Sequence, residues 1–112
     1  MYARHVSLQL KPNRANELTQ TLDQQIIPLL RKQPGFQGEI TFLTTDGRQL
    51  FAISLWDRKE DADNYNRTTY PQIQKTLTNF IEGSPLVQNT EVTNSTVHNI
   101  TVSGVGARAA SS

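Results

Sequence analysis

Apolar and polar residues alternate along the first ten positions of the chain. The alternation over Tyr2–Leu10 has the period of a β-strand with one covered face. A helical period follows, because Leu and Ile recur every three or four positions through residues 14–32. Pro28 lies inside this helix and removes a backbone donor, so we expect a kink or a tightened last turn there. Pro34 and Gly35 then end the helix.

Two further strands are predicted around a hairpin. The first covers residues 38–43, and the dipeptide Asp46-Gly47 supplies the turn, since both residue types tolerate a positive φ. The second strand, Gln49–Trp56, is apolar on both faces, which is typical of a strand in the centre of a sheet covered on both sides. One face carries Phe51, Ile53 and Leu55, and the other carries Leu50, Ala52 and Trp56.

A second helix begins after the third strand. Asp57 and Glu60 have the spacing of a capping box, in which each side chain accepts a backbone N–H of the first turn. The helix is interrupted near Pro71, which can restart it as its first residue. Apolar residues continue at helical spacing to Ile81, and residues 83–85 (Gly-Ser-Pro) end the helix.

A polar fourth strand over residues 86–100 completes the order β-α-β-β-α-β. This order predicts an α+β fold, the ferredoxin-like sandwich, with a four-stranded antiparallel sheet and both helices on one face. The helices leave the other face bare, although the third strand is apolar there. Because a two-fold axis lets one apolar patch cover itself, we expect a homodimer.

Length and composition restrict the class of protein. The chain has 112 residues and a net charge of +1 with no run of like charge, which argues against a nucleic-acid or membrane surface. The absence of Cys excludes disulfides, thiolate catalysis and zinc ribbons. No apolar run is long enough to span a membrane, and no signal peptide is recognisable, so we expect a soluble cytoplasmic protein. One domain is expected over residues 1–100, and the Gly/Ala/Ser-rich tail 101–112 is expected to be disordered.

Few side chains are candidates for chemistry. Trp56 ends a strand beside a helix start, where it could wall a cavity and offer its indole N–H. Tyr65 and Tyr70 flank the interruption of the second helix and could donate or accept a proton, although packing in the core is the more common role of such aromatic residues and is the alternative for all three. Asn66 could orient a carbonyl group or be solvated. His5 is the best general base by intrinsic pKa, but a structural role is the alternative, and neither histidine has neighbours spaced as metal ligands.

Short motifs spread over residues 2–100 resemble the antibiotic biosynthesis monooxygenase family. The resemblance implies a dimeric α+β barrel, in which two sheets meet face to face and each protomer has a small-molecule cavity between sheet and helices. Family members known to be enzymes oxidise electron-rich aromatic or quinol substrates with O₂, without metal or flavin. The motifs are Gln33-Pro34-Gly35-Phe36, Leu55-Trp56-Asp57 with Glu60, Tyr70-Pro71, Gly83-Ser84-Pro85 and Glu91-Val92.

The resemblance leads to a hypothesis of cofactor-independent oxygenation of a small quinol-like or electron-rich aromatic metabolite. Catalytic roles fall to His5, Trp56 and Tyr65, of which only Trp56 matches a family position well. Residues 72–80 contain no histidine, which disfavours the haem-degrading branch of the family. The alternatives are a dimer that binds a ligand without turnover and a structural dimer whose cavity is filled by side chains. The expected substrate-binding residues are Trp56, Tyr65, Asn66, Tyr70, Ile73 and Leu77.

Overall fold

The structure is a computed structural model and describes residues 1–98, 101–102 and 106–107. Four antiparallel strands form one sheet, in which the first and third strands of the chain are central and the second and fourth lie at the edges. The predicted α+β fold and its antiparallel sheet are confirmed. The strands are β1 (Tyr2–Leu10), β2 (Phe36–Leu43), β3 (Gln49–Trp56) and β4 (Ile81–Glu91).

The first helical segment contains a wide turn at its centre. It consists of α1 (Ala15–Thr21), a π-helical turn (Leu22–Ile26) and α2 (Ile27–Arg31). Pro28 has no N–H and its ring crowds the carbonyl four residues earlier, and the wide turn just before it relieves this conflict. The end of the helix does tighten as predicted, because the N–H groups of the two residues after α2 donate to carbonyls three positions back.

The second helical segment consists of α3 (Lys59–Thr68) and α4 (Tyr70–Leu77), and Pro71 lies in the first turn of α4 as predicted. The predicted capping box is wrong. The N-cap residue is Arg58, and no side chain caps the helix. Asp57 lies one residue too early, and its carboxylate instead accepts a 2.7 Å hydrogen bond from Gln37 Nε2 across the loop.

Strand β4 begins at Ile81, five residues earlier than predicted, so the prediction that residues 83–85 end a helix is wrong. Gly83 has φ of 73°, and the pairing of β1 with β4 shifts register between Ser7 and Gln9. These features form a β-bulge, which lets the strand continue through a glycine and a proline at the edge of the sheet.

The last part of the chain is described only in part. Strand β4 ends at Glu91, before the predicted limit, and residues 99–100 of the predicted strand lie outside the described ranges. Two short strands, β5 (Thr101–Val102) and β6 (Gly106–Ala107), pair with each other. The rest of the tail predicted to be disordered lies outside the described residues. None of the described helices is long and apolar enough to cross a membrane.

The hydrophobic core lies between the helices and one face of the sheet. On that face β1 and β3 contribute alternate residues such as Leu8, Leu50 and the fully buried Trp56. No element of the described part of the chain covers the opposite face, which is apolar, with Ile40 and Phe42 of β2 53% and 47% exposed. The prediction that β3 lies inside the sheet is confirmed, because it pairs with both β1 and β2.

Candidate active site

A small cavity lies between the sheet and the helices, with a volume of about 50 Å³, which is room for about one or two water molecules. The π-helical turn supplies one apolar wall through Leu22 and Ile26, and α4 supplies another through Ile73 and Leu77. Its sheet side is formed by residues of β1, β2 and β3, and its polar groups come from Arg4, Glu39, Ser54, Tyr65 and Tyr70.

Arg4 of β1 is a charged residue on the core face of the sheet, and only 3% of it is exposed. Its Nη2 donates a 2.9 Å hydrogen bond to Asn66 Oδ1, and its guanidinium lies 4.1 Å from the ring centre of Tyr70. Within the described part of the chain, no carboxylate lies within 4.0 Å of this guanidinium. A buried cation whose direct contacts are an amide and aromatic rings favours an anionic group beside it.

The hydroxyl of Tyr70 is buried and has no hydrogen-bond partner in the described structure. Tyr70 itself is 7% exposed and lines the cavity at the first residue of α4. A buried hydroxyl without a partner costs free energy, about 1–3 kcal/mol, and such groups commonly mark a site for water or a ligand. The hydroxyl and the Arg4 guanidinium are thus two hydrogen-bond donors in the wall of the same cavity.

Tyr65 packs beside these donors, with its ring centre 6.1 Å from that of Tyr70. Burial raises the pKa of the Tyr65 hydroxyl to about 12, with a smaller opposing effect of the Arg4 charge. The phenol is therefore neutral at ordinary pH and acts as a hydrogen-bonding group rather than as a phenolate.

Glu39 of β2 is the second charged residue of the cavity wall and is half-buried. Its carboxylate accepts a hydrogen bond from the hydroxyl of Thr41, two residues along the same strand. Burial raises the pKa of the Glu39 carboxyl, and the Thr41 hydrogen bond opposes this shift. Glu39 therefore holds a proton more readily than an exposed glutamate.

Trp56 lies behind the cavity rather than at its wall. Its Nε1 donates a 2.9 Å hydrogen bond to Ser54 Oγ, so the indole N–H expected to face a ligand already has a partner. The indole stacks on Tyr65 at a centre-to-centre distance of 5.0 Å. Trp56 thus supports Ser54 and Tyr65, which do line the cavity.

His5 lies on the face of the sheet opposite the cavity. Successive residues of a strand point to opposite faces, so the position after Arg4 cannot reach the same side. The His5 Nε2 lies 2.8 Å from Thr90 Oγ1 of β4. This placement removes His5 as a base for a ligand in the cavity.

The structure brings most of the other expected binding residues together. Tyr65, Tyr70, Ile73 and Leu77 line the cavity, and Asn66 reaches it through its hydrogen bond to Arg4. Sequence reasoning missed Arg4 and Glu39. A charged residue at a position whose strand neighbours are apolar could have indicated Arg4, which alternates with Val6, Leu8 and Leu10.

A second, outer groove of about 170 Å³ lies between the π-helical turn and α4. Ile26 and Ile73 line both this groove and the inner cavity. The inner cavity alone is too small for an aromatic ring, since benzene needs a cavity of about 150 Å³. Movement of these two side chains would join the two spaces. The groove has polar walls from Gln25, Gln72 and Thr76.

Within the described ranges, no three His, Asp or Glu side chains come together in a way that could hold a metal ion. The polar groups of the cavity are instead one guanidinium, one carboxyl and three hydroxyls. This set can hold an aromatic hydroxyl or carbonyl by hydrogen bonds and charge.

By sequence, no model of a known protein family and no curated protein matches this chain. Solved structures do match. A monooxygenase from Streptomyces coelicolor, the ActVA-Orf6 product in complex with the ligand Nanaomycin D, has a TM-score of 0.72 and 14% identity. The match covers 84% of this chain and 88% of that one.

Two further structures show the same fold. The NE2512 protein of unknown function from Nitrosomonas europaea has a TM-score of 0.70 at 15% identity, and the match covers 84% of this chain and 90% of that one. An antibiotic biosynthesis monooxygenase has a TM-score of 0.68 at 14% identity, with 82% and 98% of the two chains covered. The chain therefore has the fold of the antibiotic biosynthesis monooxygenase domain, as its sequence motifs predicted.

Proposed function

We propose that this protein is a cofactor-independent monooxygenase that acts on a small quinol-like or electron-rich aromatic molecule. The observation that carries the proposal is the buried Arg4, which has no carboxylate within 4.0 Å in the described structure. Its guanidinium lies 4.1 Å from the ring centre of Tyr70, whose buried hydroxyl has no hydrogen-bond partner there. Oxygenation without a cofactor needs a substrate anion that can itself reduce O₂, and these two donors would stabilise such an anion. The fold shared with known monooxygenases supports the same class of reaction.

The proposed reaction balances without an external reductant. A methylene group activated by flanking aromatic rings becomes a carbonyl, and it supplies all four electrons that reduce O₂. One oxygen atom enters the product and the other leaves as water with the two methylene hydrogens. The enzyme needs only to bind the enol or phenol form of the substrate, stabilise its anion and exclude bulk water.

Each cavity residue has a part in this proposal. Arg4 and Tyr70 would hold the anionic oxygen, while Asn66 keeps the guanidinium in place. Tyr65 would offer a neutral hydroxyl, and Trp56 would fix its ring from behind. Ile73 and Leu77 would form the apolar wall against the substrate ring. His5 has no role in the proposed reaction, because it lies on the other face of the sheet.

We also propose that a second copy of the chain covers the bare face of the sheet. The apolar side chains of this face, Ile40, Phe42 and Phe51, lie on the neighbouring strands β2 and β3 and are 39–53% exposed. A net charge of +1 gives little repulsion between two copies. Light scattering during gel filtration should give twice the chain mass. Phe42→Lys should give one chain mass, whereas the exposed-helix control Gln74→Lys should remain a dimer.

Oxygen uptake with anthrone tests the enzymatic proposal. The protein, freed of metal and flavin, should consume one O₂ per anthrone and place one atom of isotopically heavy O₂ in the anthraquinone product. Tyr70→Phe should lower the rate, and the matched variant Tyr2→Phe, away from the cavity, should not. Binding of anthrone without oxygen uptake would instead support the alternative of a non-catalytic binding protein.

A further inference from the structure

Arg4 and Glu39 lie in one row across the sheet. Both residues pair with Ser54 of the central strand β3, one from each side, so the three side chains point to the same face. Neighbouring strands are about 4.8 Å apart, which places the Cα atoms of Arg4 and Glu39 about 10 Å from each other. The small Ser54 between them leaves a slot with a cation at one end and a carboxyl at the other.

These two residues are the charged members of the cavity wall. With Glu39 ionised, their charges cancel, so the slot fits a ligand that is neutral when it arrives. A permanently anionic ligand would meet the repulsion of Glu39, and a cationic ligand would meet that of Arg4. A neutral ligand with an ionisable hydroxyl fits best, because moving its proton to the carboxylate keeps the total charge unchanged.

We propose that Glu39 is the catalytic proton acceptor of this site and that the ligand is a neutral aromatic molecule with an ionisable phenol or enol hydroxyl. The hydroxyl O–H bond breaks, its proton passes to a carboxylate oxygen of Glu39, and the electron pair stays on the ligand oxygen. The resulting oxyanion faces the Arg4 guanidinium and the Tyr70 hydroxyl. The effect of Glu39 on the reaction rate rests on the proposed oxygenation, whereas its effect on ligand binding does not.

The surroundings of Glu39 suit this role. Burial raises the pKa of its carboxyl, which makes the ionised form a stronger base for a phenol. The Thr41 hydroxyl donates to the carboxylate and holds it in place. In the described structure Glu39 forms no ion pair, so its carboxylate is not occupied by a structural cation.

A binding experiment tests the ligand class without any turnover. The wild-type protein at neutral pH should bind 2-naphthol in preference to 2-naphthoate, measured by calorimetry. Glu39→Gln removes the repulsion between the Glu39 carboxylate and the naphthoate, and it leaves the positive charge of Arg4 unbalanced. The affinity for naphthoate should therefore rise about tenfold. The matched variant Glu91→Gln, an exposed carboxylate on β4, should leave both affinities unchanged. An unchanged preference in Glu39→Gln would overturn the proposal.

A kinetic experiment tests the proton transfer. Glu39→Gln should lower kcat/KM for anthrone about a hundredfold near neutral pH, and the rate should recover as the pH passes through the pKa of the substrate itself. Thr41→Val removes the hydrogen bond that lowers the pKa of Glu39, so the acidic limb of the wild-type pH profile should move to higher pH. A uniform loss at every pH in Glu39→Gln would contradict a role as base.

The two experiments separate the two proposals. Absence of oxygen uptake by the wild-type protein, together with the expected change in naphthoate affinity, would reject the oxygenase function and retain the slot for ionisable hydroxyls. Oxygen uptake that is unaffected by Glu39→Gln would retain the function and reject Glu39 as its base.

Because burial raises the pKa of Glu39, its ionised form destabilises the folded state at neutral pH. Glu39→Gln should therefore not lower the melting temperature.

Discussion

Tyr70 buries a hydroxyl that makes no hydrogen bond in the described structure, so this residue is poorly suited to stability alone. Tyr70→Phe should raise the free energy of unfolding by about 1 kcal/mol, because the unpartnered hydroxyl is removed without changing the ring. The same variant should weaken naphthol binding about tenfold. Chemical denaturation and calorimetry measure the two effects. A loss of stability with unchanged binding would identify Tyr70 as a packing residue.

Tyr65 predicts how the free energy of unfolding falls at alkaline pH. Its pKa is raised from 10.0 to about 12 in the fold, so the folded state holds the proton more tightly than the unfolded state. The associated stability, roughly 2–3 kcal/mol, is fully present below pH 10 and is lost as the pH rises through 12. Denaturant unfolding of Tyr65→Phe should lose less stability over this range than the wild type. Tyr2→Phe should follow the wild type, and parallel curves for all three proteins would refute the assignment.

Individual charged residues were the least predictable part of the site. Alternation along β1 places Arg4 on the same side as Val6, but the sequence analysis did not single it out, because an arginine at such a position more often reaches solvent. Glu39 precedes Ile40 in a strand whose bare face is itself apolar, so the pattern gave no reason to bury it. Only the register of three strands shows that both residues flank Ser54.

At the scale of elements, periodicity predicted the strands and helices because each buries one face against the other layer. Local hydrogen-bond motifs were harder to predict. The Asp57 carboxylate had the spacing of a cap but bonds to Gln37, which is twenty residues away in sequence and adjacent only in the fold. Likewise, the Gly-Ser-Pro sequence that usually ends a helix here forms a bulge in an edge strand, where the missing N–H of Pro85 is tolerated.

Two glycines with positive φ, Gly83 inside β4 and Gly35 just before β2, give a stability prediction. Gly83 has φ of 73° and open space around the position of a side chain, so Gly83→Ala should cost only the backbone strain, about 1 kcal/mol. Gly35 has φ of 78°, and an added methyl group would also overlap the Asp61 carboxylate. Gly35→Ala should therefore cost clearly more. Thermal unfolding of both variants provides the comparison, and equal losses would contradict the bulge and loop geometry.

In the whole molecule, the two faces of the sheet have different roles. Its helix-covered face holds the core and the cavity with Arg4, Glu39 and Tyr70. Its bare face presents Ile40 and Phe42, for which a second copy is the proposed cover. The sequence indicated this asymmetry, since one helical layer cannot cover two apolar faces. It could not indicate the size of the cavity, which depends on how Ile26 and Ile73 pack across the helices.

Isoleucine methyl groups on the two faces of the sheet report whether a ligand binds on the helix-covered face. Isoleucine-labelled protein titrated with 2-naphthol should show large chemical-shift changes for Ile26 and Ile73, which line the cavity and the outer groove. The methyl groups of Ile40 and Ile53, on the bare face, should not move. Shifts confined to Ile40 and Ile53, or saturating naphthol with no shift at Ile26 and Ile73, would show that the ligand does not bind on the helix-covered face.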